Sequence, residues 1–439
     1  MQFQTYEKYK PSGIDWLGEI PEGWEVKRLK DLGCFQNGIS NNAEYFGSGF
    51  PFVSYGNIYN NTLSKEKIVT LANSTKEDQK LYSVKENDVF FTRTSETIEE
   101  VGFTATCKET IPYAVFSGFV IRFRPYRKDI QKEYSSYFFN AKSHRNFFVK
   151  EMNIVTRASL SQNVLSNLPV LVPNKQTQTA IADYLDQHTA LIDKKIALLK
   201  AKKQSYTQLK QTLINEVVTK GLDETVEMKD SGIEWIGQIP KHWEVKRLKQ
   251  IFNERVEKNS LPNGEPVTEN ILSVMKDVGV INHRDKGLVG NKMSEDITGY
   301  KLVQIDDIVV NKMNVMIGSV GISKEFGALS VIYIILKAKS SYLPKFYDYL
   351  FRIKRFQKHL RTISTGILEI REAVNMILFM GQEFPVPPKS EQIAIANYLD
   401  EKTSKIDEII KKIDENILAL QEFRKTLIND VVTGKVKVL

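Results

Sequence analysis

Residues 177 to 219 and 391 to 433 are two copies of one long amphipathic helix, and a small single-domain fold has room for neither. The first opens TQTAIADYLDQHTALIDKKI and closes TLINEVVT; the second opens EQIAIANYLDEKTSKIDEII and closes TLINDVVT. Leu185, Ile192, Leu199, Tyr206 and Leu213 recur every seven residues in the first copy, and Leu399, Ile406, Ile413, Leu420 and Leu427 do so in the second. A heptad seam of this length asks for a partner helix. At 1.5 Å per residue each helix runs roughly 65 Å, more than a small core covers. The pattern therefore predicts that the two copies pack on each other.

The rest of the chain is duplicated as well. SGIDWLGEIPEGWEVKRLKDL at residues 12 to 32 returns as SGIEWIGQIPKHWEVKRLKQI at 231 to 251, with 14 of 21 positions identical at an offset of 219. Trp16, Trp24, Trp235 and Trp243, all the tryptophans of the chain, lie in these blocks and suit packing roles. The basic Lys27, Arg28 and Lys30, with their copies Lys246, Arg247 and Lys249, have the charge to contact phosphate, but read first as a solvated face. The same offset superposes Asp88 on Asp307 and Gly102 on Gly321, within alternating apolar runs such as Val89 and Phe91 or Ile308 and Val310 that predict short strands. Aromatic helical segments follow, with Tyr137, Phe138 and Phe148 matched to Tyr349, Leu350 and Leu360 as core-facing stripes. By the start of the long helices the offset has slipped to 214, a net loss of five residues in the second half.

A repeat of over 200 residues is a domain duplication, not a solenoid. The order is domain, helix, polar connector (residues 221–230), domain, helix. If a pseudo-two-fold relates the halves, the long helices run antiparallel. The fold class is α+β: two pseudo-symmetric mixed α/β domains separated by two long antiparallel helices that form a coiled coil.

Composition narrows the function. With 61 Lys and Arg against 53 Asp and Glu, the net charge is +8, a mild bias toward an acidic partner such as nucleic acid. Two cysteines, Cys34 and Cys107, argue against a disulfide framework or a zinc site. No apolar run approaches the 18 residues of a membrane span, and MQFQTYEKYK lacks the apolar core of a signal segment, so the expected location is cytoplasmic and away from membranes.

Motifs of catalysis do not emerge. GSG at 47 to 49 lacks the context of a phosphate loop, and His144, His188, His242, His283 and His359 have no metal-ligand spacing. No metal site and no catalytic residue is assigned. Recognition signals are present instead. Arg93, Thr94 and Ser95 align with Lys312, Met313 and Asn314 on a connection leaving a strand, where binding groups are commonly carried. Arg157, Ser159 and Gln162 in one copy, and Ser364, Thr365 and Arg371 in the other, have the chemistry to bind base edges or phosphates. With Lys312 and Asn314 these form the candidate DNA-binding set. A basic run on the first long helix, from Lys194 to Lys210, reads as a solvated face or a lopsided acidic-partner contact.

The duplicated SGIxWxGxIPxxWEVKRLK block, the two AIAxYLD helix starts and the two TLINxVVT ends resemble the specificity (S) subunit of type I restriction-modification systems, over nearly the whole chain. One departure is Glu391, which faces Thr177 in the first copy. The resemblance implies target-recognition domains at 12–173 and 231–388, long helices at 174–220 and 389–433, and one half of a bipartite double-stranded DNA site for each domain. It further implies that the helices act as ruler and dock for two methylation (M) subunits, through which restriction (R) subunits join. S-adenosylmethionine, ATP and Mg would then serve the partners, with no cofactor on this non-catalytic chain. The rival expectation is a structural adaptor that binds duplex without reading it.

Overall fold

The alternating runs at 89–92 and 308–311 become the central strands of two related sheets. The computed structural model describes residues 4–95, 101–151, 158–287, 292–365 and 373–438. In the first sheet β1 (Gly33–Asn37), β2 (Thr62–Leu63), β3 (Val89–Thr92), β4 (Thr104–Cys107) and β5 (Val120–Pro125) lie in the order β1-β5-β3-β4-β2, with β4 and β2 parallel and the other pairs antiparallel. In the second, β6 (Phe252–Glu254), β7 (Ile308–Asn311), β8 (Val320–Ile322) and β9 (Tyr333–Ala338) lie in the order β6-β9-β7-β8, all antiparallel. All four residues of β3 and of β7 are buried, because each sheet is covered on both faces. Phe90 meets Phe116 on one face of β3, and Phe91 meets Phe139 on the other, as a side-chain period of two requires.

A buried aspartate precedes each central strand. Asp88 accepts from the Lys85 amide (2.7 Å) and Asp307 from the Gln304 amide (2.8 Å). Arginine neutralises both carboxylates, but from different strands. Arg124 of β5 donates Nε and Nη2 to Asp88, both at 2.6 Å. Arg255, which follows β6, donates Nε to Asp307 at 2.6 Å.

The register of the two sheets corrects one superposition. Thr104 pairs with Phe91 and Val320 with Val310, so the second strand pair is offset by 320 − 104 = 216, not 219. Gly102 therefore corresponds to Gly318, and both have positive φ (75° and 99°). The connection leaving β3 is three residues longer in the first half, and an alignment carried across it slips onto the wrong glycine. A second difference of three follows. Val120 pairs with Thr92 and Tyr333 with Asn311, so the offset falls to 333 − 120 = 213.

Behind the sheets lie α1 (Lys132–Phe138), α2 (Lys142–Glu151) and α3 (Lys175–Lys220), then α4 (Pro344–Phe351), α5 (Lys354–Leu360) and α6 (Lys389–Val432). Phe138, Phe148, Leu350 and Leu360 are buried as the helical stripes predict. Tyr137 and Tyr349 behave differently. Each is half-buried and sends its hydroxyl to a long helix, Tyr137 to Asp186 and Tyr349 to Asp400.

The chain divides into two compact units, Met1–Lys200 with Asp414–Leu439, and Ala201–Ile413. Each unit holds one sheet, its short helices, and half of each long helix. In unit 1, Tyr134 donates its hydroxyl to Leu171 O ahead of α3 and to Val432 O at the end of α6, while Asp193 pairs with Arg424 further along (3.0 Å). In unit 2, Val217 and Val218 share a core with Ile395 and Leu399, while Lys210 pairs with Asp407 (2.6 Å). Within each unit the helix segments are thus antiparallel. Leu185, Ile192, Leu399, Ile406, Ile413 and Leu427 are buried, and Leu199, Tyr206, Leu213 and Leu420 are half-buried. The seam is real, and its end turns also enter the cores of their units. Among the described residues no helix is long and apolar enough to cross a membrane.

Tryptophan anchors differ between the halves. Trp24, Trp235 and Trp243 are buried. Trp243 donates Nε1 to Glu391 (3.0 Å), which also pairs with His242 (2.7 Å). In the first half Thr177 replaces Glu391, and the helix start is capped instead by Asn174, which accepts from the Thr177 amide (2.9 Å).

His144 occupies the place that Phe356 fills in unit 2. It is 2% exposed, lies 4.3 Å from the Phe138 ring centroid, and has no hydrogen-bond partner at either ring nitrogen among the described residues. Burial pushes its pKa down to about 3. The unfolded chain takes up that proton near pH 6.5. Protonation therefore favours unfolding below 6.5, and stability falls as pH drops from 6.5 toward 3. His144→Phe should match the wild type at pH 7.5 and exceed it at pH 4.5 by about 2–3 kcal/mol in urea unfolding. Equal pH slopes would refute this.

Candidate nucleic-acid interface

In unit 1 the chain leaves β3 as Arg93, Thr94 and Ser95. Thr94–Ser95 pairs antiparallel with Ala158–Ser159, with Thr94 opposite Ser159. The Leu160 amide donates to Arg93 O (2.7 Å), and Leu160 itself is fully buried, which pins this junction to the core. Ser161 then caps a short helix by accepting from the Val164 amide (3.1 Å), placing Gln162 at its first position. Gln162 donates Nε2 to Asn37 Oδ1 (3.0 Å), at the end of β1. Segments some seventy residues apart in the chain are thus brought to one end of one sheet.

Unit 2 repeats the junction with other side chains. The Val374 amide donates to Lys312 O (3.0 Å), the counterpart of the bond from Leu160 to Arg93. Ser364–Thr365 pairs with Ala373–Val374, so these residues join Lys312. The Asn311 side chain accepts from the Met313 amide (3.0 Å), and Asn314 precedes a single 3₁₀ turn, Val315–Ile317. Asn314 and Met313 are exposed. Asn375 caps the following helix by accepting from the Ile377 and Leu378 amides.

Of the candidate residues, Arg93, Thr94, Ser95, Ser159 and Gln162 therefore converge in unit 1, and Lys312, Asn314, Ser364 and Thr365 share the equivalent region of unit 2. Arg157 and Arg371 lie outside the described residues. Asn37 and Phe119 were not legible as site residues. Phe119 is 64% exposed, and its carbonyl accepts from the Arg93 amide (3.0 Å). The only signal at Phe119 is an aromatic beside a glycine in a turn. Lys27 and Lys246 are held by Glu25 and Glu244 on their own strands, as a solvated face would be. A cavity of about 490 Å³ lies at the other end of β3, among Lys85, Asn87, Arg124 and Tyr126, away from this junction.

Charged, amide and hydroxyl groups of this kind form bidentate or single hydrogen bonds to base edges and to phosphates. Two sheets of related topology, each carrying such a junction at the same strand end, define a duplicated α+β protein. A model of the type I restriction modification DNA specificity domain matches residues 21–205 and again 240–419. The chain belongs to this family and carries its domain twice; it is the DNA sequence-recognition subunit of a type I restriction-modification system. It is 24% identical to the MjaX specificity subunit of Methanocaldococcus jannaschii, covering 100% of this chain and 99% of that one. It is 22% identical to the StySPI specificity subunit of Salmonella potsdam over 95% and 90% of the two chains. The HsdS subunit of Thermoanaerobacter tengcongensis shares its fold with a TM-score of 0.56 at 14% identity, over 95% of this chain and 98% of that one.

Proposed function

We propose that each domain reads one half of a bipartite duplex site, and that the long helices dock two methylation subunits through which restriction subunits join. The observation that supports this most directly is the repeated junction, Leu160 N to Arg93 O and Val374 N to Lys312 O, which presents different side chains at the same place in two copies of one fold. Equivalent frames with unlike contact groups suit an asymmetric, two-part sequence. On this reading the chain chooses the site and performs no chemistry. Adenine methylation with S-adenosylmethionine, and cleavage with ATP and Mg, belong to the partners, in the cytoplasm.

Expression with its methylation subunits in a host lacking this modification, followed by single-molecule sequencing of methylated adenines, tests the reading. A two-part motif is expected. Arg93→Ala should relax one half of that motif, costing about 10- to 100-fold in discrimination there, and leave the other half unchanged. Methylation without sequence preference would favour a non-reading adaptor, and relaxation of both halves by Arg93→Ala would break the one-domain, one-half assignment.

A further inference from the structure

Sheet order places a row of groups along one end of the unit 1 sheet. Asn37 ends β1, Phe119 precedes β5, and Arg93 follows β3, three neighbouring strands in the order β1-β5-β3. Across β4 come Phe103 and Tyr59, whose rings lie 5.2 Å apart. At about 4.8 Å between strands the row extends roughly 19 Å, the length of five or six base-pair steps.

Phe119 stands out in this row. Phe119 is 64% exposed, and covering its ring would be favourable in proportion to the apolar area removed from water. Its backbone is locked: Phe119 N donates to Ser117 Oγ (3.2 Å), Phe119 O accepts from Arg93 N, Gly118 N donates to Ile39 O (2.7 Å), and Gly118 O accepts from Arg93 Nη1 (3.4 Å). Gly38 lies where no side chain fits, since a Cβ there would sit 2.2 Å from Phe116 O and 2.4 Å from Ser117 O, whereas a Cβ on Gly118 would first have to turn Ser40 Oγ aside. The ring is therefore carried on a rigid turn beside a guanidinium and an amide. It also ends the β4–β5 connection, where unit 1 spends 15 residues between Thr104 and Val120 and unit 2 spends 12 between Val320 and Tyr333. In unit 2 the half-buried Ile332 takes its place.

We infer that Phe119 is a specificity-determining residue that packs on the C5-methyl group of a thymine in the half-site read by unit 1. The major groove offers one apolar group, the thymine methyl; every other base-edge feature there is a donor or acceptor, which a phenyl ring cannot satisfy. Arg93 and the Asn37–Gln162 amide pair then serve the hydrogen-bonding edges beside it. This rests on the proposed reading of duplex DNA by unit 1.

The test replaces each thymine of the mapped site by deoxyuridine, which removes only the methyl, and measures binding by the full chain assembled with its methylation subunits. For the wild type, one substitution in one half-site should weaken binding about three- to fivefold. Phe119→Ala should bind the thymine duplex as weakly as the wild type binds the deoxyuridine one, and should lose the methyl penalty. Phe119→Leu should retain it in part. Because the ring is exposed, melting of both variants should match the wild type. Identical deoxyuridine penalties in wild type and Phe119→Ala, or none in either, would overturn the inference while leaving the bipartite motif standing. Absence of any motif would sink the parent reading as well.

Discussion

Asp88→Ala should open the first sheet and leave the second intact, with a loss of about 3–5 kcal/mol in unit 1. Asp88 is fully buried and holds Arg124 through two hydrogen bonds at 2.6 Å, besides accepting from the Lys85 amide that turns the chain into β3. Removing the carboxylate strands a guanidinium that is itself mostly buried, with 23% of its side chain exposed. The penalty for breaking such a pair comes from the charge left behind more than from the attraction lost. Replacing both partners by apolar residues, as in Asp88→Leu with Arg124→Met, should therefore recover much of the loss. Amide hydrogen exchange reads the effect locally: β3, β4 and β5 should exchange faster in Asp88→Ala, and β7 and β9 as in the wild type. Uniform acceleration of both sheets, or none, would refute the pairing as the cause. Arg255 makes the same point in unit 2. It holds Asp307 from the strand that matches β1, not from β9, the strand that matches β5. The buried carboxylate demands a cation, and either neighbouring strand can supply it.

Sequence pattern carried some of this and not the rest, for reasons visible in particular residues. The long helices were legible because a heptad is local, and seam residues such as Leu185 and Leu399 are buried as the spacing requires. Val89 and Ile308 marked true strands because alternation is also local. Strand order is not. Asn37 reaches Gln162, and Phe119 reaches Arg93, only because β1 and β3 both flank β5, and no single strand's pattern encodes its neighbour. A constant offset pairs Gly102 with Gly321 only because it ignores a three-residue difference in a loop, where sequence register has no physical anchor. The spacing of Tyr137 and Tyr349 predicts a core stripe, yet each keeps its hydroxyl at the surface of the core to bond Asp186 or Asp400. A phenol is apolar by its ring and polar by its tip, and periodicity sees only the ring.

Residues 1–224 alone should form a homodimer that, with methylation subunits, directs modification to a palindromic site. The contacts that unit 1 takes from the second long helix have counterparts on the first. Asp193 pairs with Arg424, and Asp407 pairs with Lys210; an offset of 214 turns Asp193 into Asp407 and Lys210 into Arg424. A second copy of the fragment therefore offers Lys210 to Asp193, twice. The Ser143 amide donates to Asn429 Oδ1 (2.9 Å), and the counterpart of Asn429 is Asn215. Gly434, at φ 77°, packs against Trp24 as Gly221, at φ 81°, packs against Trp243, so the fragment brings its own glycine to the tryptophan. The ion pairs are partly exposed and add at most about 1 kcal/mol each; their role is register. Affinity comes from the seam, where Leu185, Ile192, Leu199, Leu213 and Val217 would each gain up to about 1.5–3 kcal/mol on full burial. Ile192→Asp in the fragment should leave a monomer by sedimentation and abolish methylation, whereas Asp193→Lys combined with Lys210→Asp should preserve the dimer. A fragment that stays monomeric with its seam intact would mean that the second long helix supplies something the first cannot, and that the two halves are alike in sequence without being interchangeable in packing.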